Sequence, residues 1–295
     1  MASATQTDDL QSGPRAVLLE DRGILRLSGP DLPDFLQRLL TNAMPAGDGE
    51  AIYSALLTPQ GKFLFDFILV RDKDDILMDT ERSRLPDLLK RLKLYKLRAK
   101  IDLTDETEGH AVIALLDESP DPEGGFVYPD PRQDAMGRRA ILPAASAEKS
   151  VSDAGYTLAG MDAYAKRRLE VGLPEAPYDV VPEKTFPLEA NFDEMHAIDF
   201  KKGCFVGQEV TSRSKRRGNV RKRLVTCRVE GALPQPETPV RKGEREVGTV
   251  FSGAGERVIA LLRLDALDAD LMAGDSKLMP ELQPWLDLGE TTHVE

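Results

Sequence analysis

Apolar residues recur at helical spacing in two places in the first third of the chain. Leu32, Phe35, Leu36, Leu39 and Leu40 mark one helix, with Asp31 as its expected N-cap and Pro33 in its first turn. Leu85, Leu88, Leu89 and Leu92 mark a second, whose wet face carries Lys90, Arg91 and Lys93. A shorter helix is predicted over Ala163–Val171, ended by Gly172 and Pro174. Apolar runs of strand length predict strands at Val17–Glu20, Gly23–Leu27, Ile52–Leu57, Phe63–Val70 and Ile76–Met78, with more at Ile101–Leu103 and Ala111–Leu116. Pro59-Gln60-Gly61-Lys62 reads as a turn, and Ser119–Pro131, rich in Pro, Asp and Gly, as a loop.

Helices and strands alternate without strict βαβ units, which favours an α+β fold with mostly antiparallel sheets. The character changes near Val220. Leu224–Val229, Val247–Phe251 and Val258–Leu262 are short β-rich pieces separated by Pro and Gly. They predict a small C-terminal barrel or sandwich of about 70 residues. Residues 1–13 are expected to be a disordered tail, 14–219 an α+β region of two subdomains, and 220–295 the β domain.

The bulk numbers narrow the class. A chain of 295 residues suits two or three domains, and its net charge of -11 argues against general nucleic-acid coating. No apolar run approaches the roughly 20 residues that span a bilayer, so no membrane partner is expected. Two cysteines make a disulfide framework improbable and point to a reducing compartment. Met1–Pro14 lacks an apolar core and early arginines and carries Asp8 and Asp9, so neither a signal peptide nor a mitochondrial presequence is expected. The expected location is the cytoplasm.

One segment reverses the sign of the chain. Lys201 to Arg223 holds nine Lys or Arg against Glu209 alone, which leaves 30 bases and 49 acids elsewhere. Within it, Cys204 lies between Gly203 and Gly207, directly after Lys201 and Lys202. Neighbouring cations favour a thiolate, and a helix expected over Val206–Ser212 would add its positive end. The alternative is a small buried hydrophobe, the reading preferred for Cys227 in its alternating strand. His196 lies eight residues before Cys204, but no third orienting group is signalled for a nucleophile pair. No metal-ligand spacing is present. The run Arg213–Arg223 reads as a solvated junction, a carboxylate or phosphate site, or an RNA contact. No aromatic residues interleave with it, so RNA ranks last. Glu189, among apolar neighbours in Phe186–Phe192, reads as a surface residue on a turn or as an acceptor for the N–H groups of a heteroaromatic ring. Dinucleotide and Walker glycine patterns are absent.

Lys202-Gly203-Cys204-Phe205-Val206-Gly207-Gln208-Glu209 with Arg213 resembles the K-G-C-[YF]-x-G-Q-E-x-x-x-R signature of YgfZ-type folate-binding proteins of iron–sulfur cluster assembly. These are related to the aminomethyltransferase (T-protein) of glycine cleavage. Gly29-Pro30-Asp31 with Phe35-Leu36 and Leu40-Thr41, and Arg168–Pro174, are similar to further family segments, and Pro187-Leu188-Glu189-Ala190 resembles the P-x-E-A of T-proteins. The resemblance implies a three-domain cloverleaf of two ferredoxin-like α+β domains and a small C-terminal β-barrel around a folate-sized hole. It implies tetrahydrofolate as ligand, with Glu189 on the pterin and Asn191, Lys202, Gln208 and Arg213 nearby. Cys204 is then expected at the mouth of the hole, serving iron–sulfur client proteins, and the basic run is expected to neutralise a glutamate tail. T-proteins carry an Asp pair where this chain has Phe65-Asp66. Aminomethyl transfer with Asp66 as acid–base group is therefore the alternative activity.

Overall fold

The computed structural model describes residues 13–218, 220–268 and 270–288. All but the last residue of the expected tail lies outside them. The chain begins with β1 (Arg15–Leu18) and leaves at once for another sheet. That unit holds β2 (Arg22–Ser28), α1 (Leu32–Leu39), β3 (Ala51–Leu57), β4 (Phe63–Asp72), β5 (Asp75–Glu81), α2 (Leu85–Lys96) and β6 (Asp102–Asp105). The chain then returns with β7 (His110–Leu115), β8 (Phe126–Pro129), β9 (Arg138–Pro143), α3 (Ala147–Asp153), β10 (Thr157–Ala159) and α4 (Met161–Val171). After a long irregular stretch come α5 (Gln208–Arg217) and β11 (Lys222–Glu230). The rest is β12 (Pro239–Lys242), β13 (Arg245–Ala254), β14 (Arg257–Arg263), β15 (Leu271–Ala273) and β16 (Ser276–Glu281).

Two five-stranded sheets result, ordered β3-β4-β5-β2-β6 and β10-β1-β7-β9-β8, and the last six strands close a barrel. β1 pairs antiparallel with β7 and parallel with β10, so the two α+β units share the N-terminal chain. The expected α+β cloverleaf with a terminal barrel is the observed fold.

β4 explains how the units meet. Successive side chains point to opposite faces of a strand. Phe65, Phe67 and Leu69 pack with Leu32, Leu36, Leu88 and Leu92 of α1 and α2. Ile68 and Val70 face the other way, into a core shared with Val112 and Ile141 of the second sheet and Leu224 and Ile259 of the barrel. Asp66 lies on that central face by the same alternation.

Several sequence expectations change. β8 lies inside the stretch expected to be loop, because Phe126–Pro129 pairs with β9. β9, β10, α3 and three barrel strands had no sequence signal strong enough to mark them. Asp31 does not cap α1 with its side chain; its Oδ2 accepts from the Lys100 N–H at 2.7 Å. Among the described residues, no helix is long and apolar enough to cross a membrane.

Candidate functional site

The signature segment is a loop running into α5, held at Lys202, Phe205, Val206 and Gly207, with Gly203 and Cys204 exposed between them. Lys202 Nζ donates to the carbonyls of Leu40 at 2.7 Å and Asn42 at 2.6 Å, where α1 ends and its last carbonyls lack helical partners. The Lys202 carbonyl in turn accepts from Gln37 Nε2 at 2.6 Å. Burial pulls the Lys202 pKa down to about 8, with Asp199 opposing, so the ammonium keeps its proton at neutral pH. Phe205 is buried in the central core, and Val206 packs against the core of the first unit. Gly207 has φ +83°, and a Cβ there would lie 2.7 Å from the Thr58 carbonyl oxygen. Cys204 itself is exposed.

Lys202 was expected to help a ligand or the thiolate. Instead its ammonium closes the end of α1, which fixes the loop. Cys204 was also expected at a helix N-terminus. The left-handed Gly207 breaks the backbone first, so α5 starts at Gln208, four residues past the cysteine. The helix dipole acts mainly within its first turn, so it does not reach Cys204 as expected.

The basic run divides. Lys215, Arg216 and Arg217 occupy the last turn of α5, where cations complement the helix's negative end. Arg213 pairs with Glu209 at 2.9 Å across one exposed turn. Lys215 Nζ reaches Asp193 at 2.7 Å and sits 4.2 Å above the Phe200 ring. Arg223 is buried and bound to Glu194 and the Leu188 carbonyl. A cleft of about 800 Å³ runs along this helix, lined by Phe200, Gln208, Glu209, Ser212, Lys215 and Arg216. Gln208 is the one expected ligand residue that lines it.

The other expected residues lie elsewhere. Asn191 is fully buried; its Nδ2 donates to the Leu224 carbonyl at 2.8 Å, tying the irregular segment to β11. The Glu189 carbonyl accepts from the Leu224 N–H at 2.9 Å in the same seam. Its carboxyl group is half-buried, and burial raises its pKa against the Phe186 N–H, Lys222 and Arg223. Asp66 is buried and accepts from the Tyr53 hydroxyl at 2.8 Å, with Phe192 stacked obliquely on Tyr53. Burial raises its pKa, and Arg22 and Tyr53 only partly offset this. Glu189, Asn191, Asp66 and Cys204 are not among the residues that line the cleft along α5. Cys227 is buried inside the barrel, where burial pushes its thiol up to about 12.

Sequence reasoning missed what joins the three units. Arg139, on β9, bonds Asp79 of β5 at 2.7 Å, Asp130 at 3.1 Å and the Tyr164 hydroxyl of α4 at 3.0 Å. Arg22 completes Asp79, and Arg132 bridges Asp130 and Glu175. Arg168 reaches Asp179, whose Oδ1 accepts from Ser252 of the barrel at 2.6 Å. The Arg168–Pro174 resemblance was the only sequence signal touching this network.

The comparisons with known proteins agree with the fold. Residues 221–288 match the model of the CAF17 C-terminal beta-barrel domain. The chain is 34% identical over 256 residues to the iron-sulfur cluster assembly factor IBA57 homolog, mitochondrial, of Neurospora crassa, covering 79% of this chain but only 57% of that protein. It is 32% identical to the mitochondrial factor of the same name from Homo sapiens, covering 83% of this chain and 76% of that one. Both relatives are named as mitochondrial, which overturns the cytoplasmic location expected from the N-terminal composition. The glycine cleavage system aminomethyltransferase T from Bartonella henselae superposes with a TM-score of 0.74 at 18% identity, over 93% of this chain and 87% of that one. That likeness is one of fold. The chain belongs to the family of IBA57 iron–sulfur cluster assembly factors.

Proposed function

We propose that this protein assists iron–sulfur cluster assembly by offering the Cys204 sulfur as one ligand to a cluster in transit to a client protein. The observation that carries this is the contrast within one loop. Lys202, Phe205, Val206 and Gly207 are all fixed, and the cysteine among them is left exposed. Binding needs the thiol proton to leave to solvent and an Fe–S bond to form as the thiolate that previously held that iron departs. Among the described residues no group of three or more His, Cys, Asp or Glu can hold a metal ion. The remaining ligands are assigned to the client or to small thiols, which suits a cluster that passes through.

Replacing Cys204 by Ser is expected to abolish rescue of iron–sulfur enzyme activity in cells lacking the factor. Cys227→Ser, inside the barrel, is expected to leave rescue intact. Equal behaviour of the two variants would remove the role given to Cys204.

Tetrahydrofolate is the proposed small-molecule ligand, with Glu189 as its pterin contact. The support is the P-L-E-A resemblance and a half-buried carboxyl group whose raised pKa disposes it to share a proton with a ring N–H. Lys202 and Asn191 have internal partners and are not assigned to the ligand. Titration by calorimetry is expected to give saturable binding that weakens at least ten-fold in Glu189→Ala, the loss of about 1.5–3 kcal/mol for a charged hydrogen bond. Unchanged affinity in that variant removes the assignment. Asp66 is not favoured for transfer chemistry, because its carboxyl is enclosed and capped by Tyr53.

A further inference from the structure

We propose that the C-terminal end of α2 and the turn after it form a docking surface for an anionic lipid bilayer. From Leu88 to Lys100 the chain carries Lys90, Arg91, Lys93, Lys96, Arg98 and Lys100 and no acid. None of these six makes an ion pair among the described residues. The whole chain, with these six cations included, has a net charge of -11, so the patch opposes the field of the chain that bears it.

Two leucines stand inside this patch. Leu94 is 64% exposed and Leu97 is 85% exposed. The buried stripe of α2 is Leu85, Leu88 and Leu92, so these two are not part of the core-facing side. Leu97 also has φ +47°, in the left-handed region where glycine is the favoured residue. A projecting leucine in a strained backbone position is poor for both stability and solubility. Local strain of this kind is a reason to look for use.

The chemistry favours a membrane over an acidic protein. Protein interfaces deplete lysine at their centres, whereas membrane-surface segments combine lysine with leucine. Here four of the six cations are lysines, whose long stems let the ammonium groups reach lipid phosphates while the leucines enter the headgroup layer. Three acids border the patch: Asp31 and Asp34 line one cleft with Lys96, Leu97 and Arg98, and Glu183 lines another with Arg91, so six cations face three carboxylates there. Asp31 accepts from the Lys100 N–H, Asp34 pairs with Arg38, and Asp87 lies at the far end of α2. This is attachment to a surface, distinct from a membrane-spanning helix.

The test is co-sedimentation of the full chain with phosphatidylcholine vesicles, with or without phosphatidylglycerol. Binding is expected only to the anionic vesicles and is expected to fade as ionic strength rises from about 0.1 M to 1 M. Each Lys or Arg near such a surface adds about five-fold, so the triple variant Lys90→Gln, Lys93→Gln, Lys96→Gln should bind about a hundred-fold more weakly. Leu97→Gly removes the projecting side chain and relieves its backbone, so it should bind several-fold more weakly while unfolding no earlier than the parent. Cys204→Ser should bind as the parent does, which separates this proposal from the role of the thiol. No binding to anionic vesicles at low salt, full binding by the triple variant, or retention only by acidic proteins overturns it.

Discussion

Arg139→Met is expected to destabilise the protein by about 3–5 kcal/mol, because it leaves buried carboxylates without a cation they need. Arg139 is 1% exposed and Asp79 is fully buried, so neither can turn to water. The ion pairs involving Arg139 link β5 of the first sheet to β9 of the second. Arg22 still holds Asp79 in the variant and Arg132 still holds Asp130, which keeps the loss below that of two isolated charges. Against a typical total of about 5–15 kcal/mol, the change moves a urea midpoint clearly. A variant with an unchanged midpoint would mean that water reaches this centre.

The same network sets an acid dependence. Burial alone would raise the pKa of Glu175; Arg132, Arg168, Arg139 and Arg22 outweigh it and hold the group at about 2, against 4.5 when unfolded. A depressed carboxyl contributes stability that is complete above the unfolded value and lost as pH falls toward the folded one. The cost of Arg139→Met should therefore be greatest above pH 4.5 and shrink across the window down to about 2. Asp66 has the opposite sign. Its raised pKa favours the fold at low pH and costs stability as pH rises through its folded value.

The network also marks the limit of what was legible in the sequence. α1 and α2 could be read because their buried leucines recur within one element, a local pattern, and α4 because Gly172 and Pro174 mark its end. The barrel strands β11, β13 and β14 could be read because short apolar pieces alternate with turn residues. Asp79, Asp130, Arg139 and Asp179 come from distant parts of the chain, and nothing local separates a buried arginine from a wet one. β8 was hidden because Pro129 and Asp130 signal a turn, while its partner β9, the next strand, gave no signal of its own. The same blindness affected the site. The K-G-C-F-V-G-Q-E segment was conspicuous, but the partners of Lys202 lie about 160 positions earlier in the chain. Its ammonium was read as electrostatic help for Cys204, and its work as a pin on α1 could not be seen.

Gly207→Ala is the substitution that should injure the loop most with the smallest change in chemistry. Two costs add. An L-residue at φ +83° loses about 1–2 kcal/mol to backbone sterics. The added Cβ would also lie 2.7 Å from the Thr58 carbonyl oxygen, 3.0 Å from Gly61 Cα and 3.1 Å from Leu57 Cβ. Two of these are backbone atoms that cannot rotate aside, so a further 1–3 kcal/mol of overpacking is expected, about 2–5 kcal/mol together. Gly203→Ala is the control, because its φ is +101° but its Cβ would meet nothing within 4 Å. It should show only the backbone cost. If the loop exists to hold Cys204 in one place, Gly207→Ala should also reduce rescue of iron–sulfur enzymes with the thiol present, and should alter the rate at which Cys204 is alkylated in the folded protein. Matching urea midpoints for the two alanine variants would mean that the loop does not rest on the Thr58–Lys62 turn. The fixed position inferred for the sulfur would then have no physical basis.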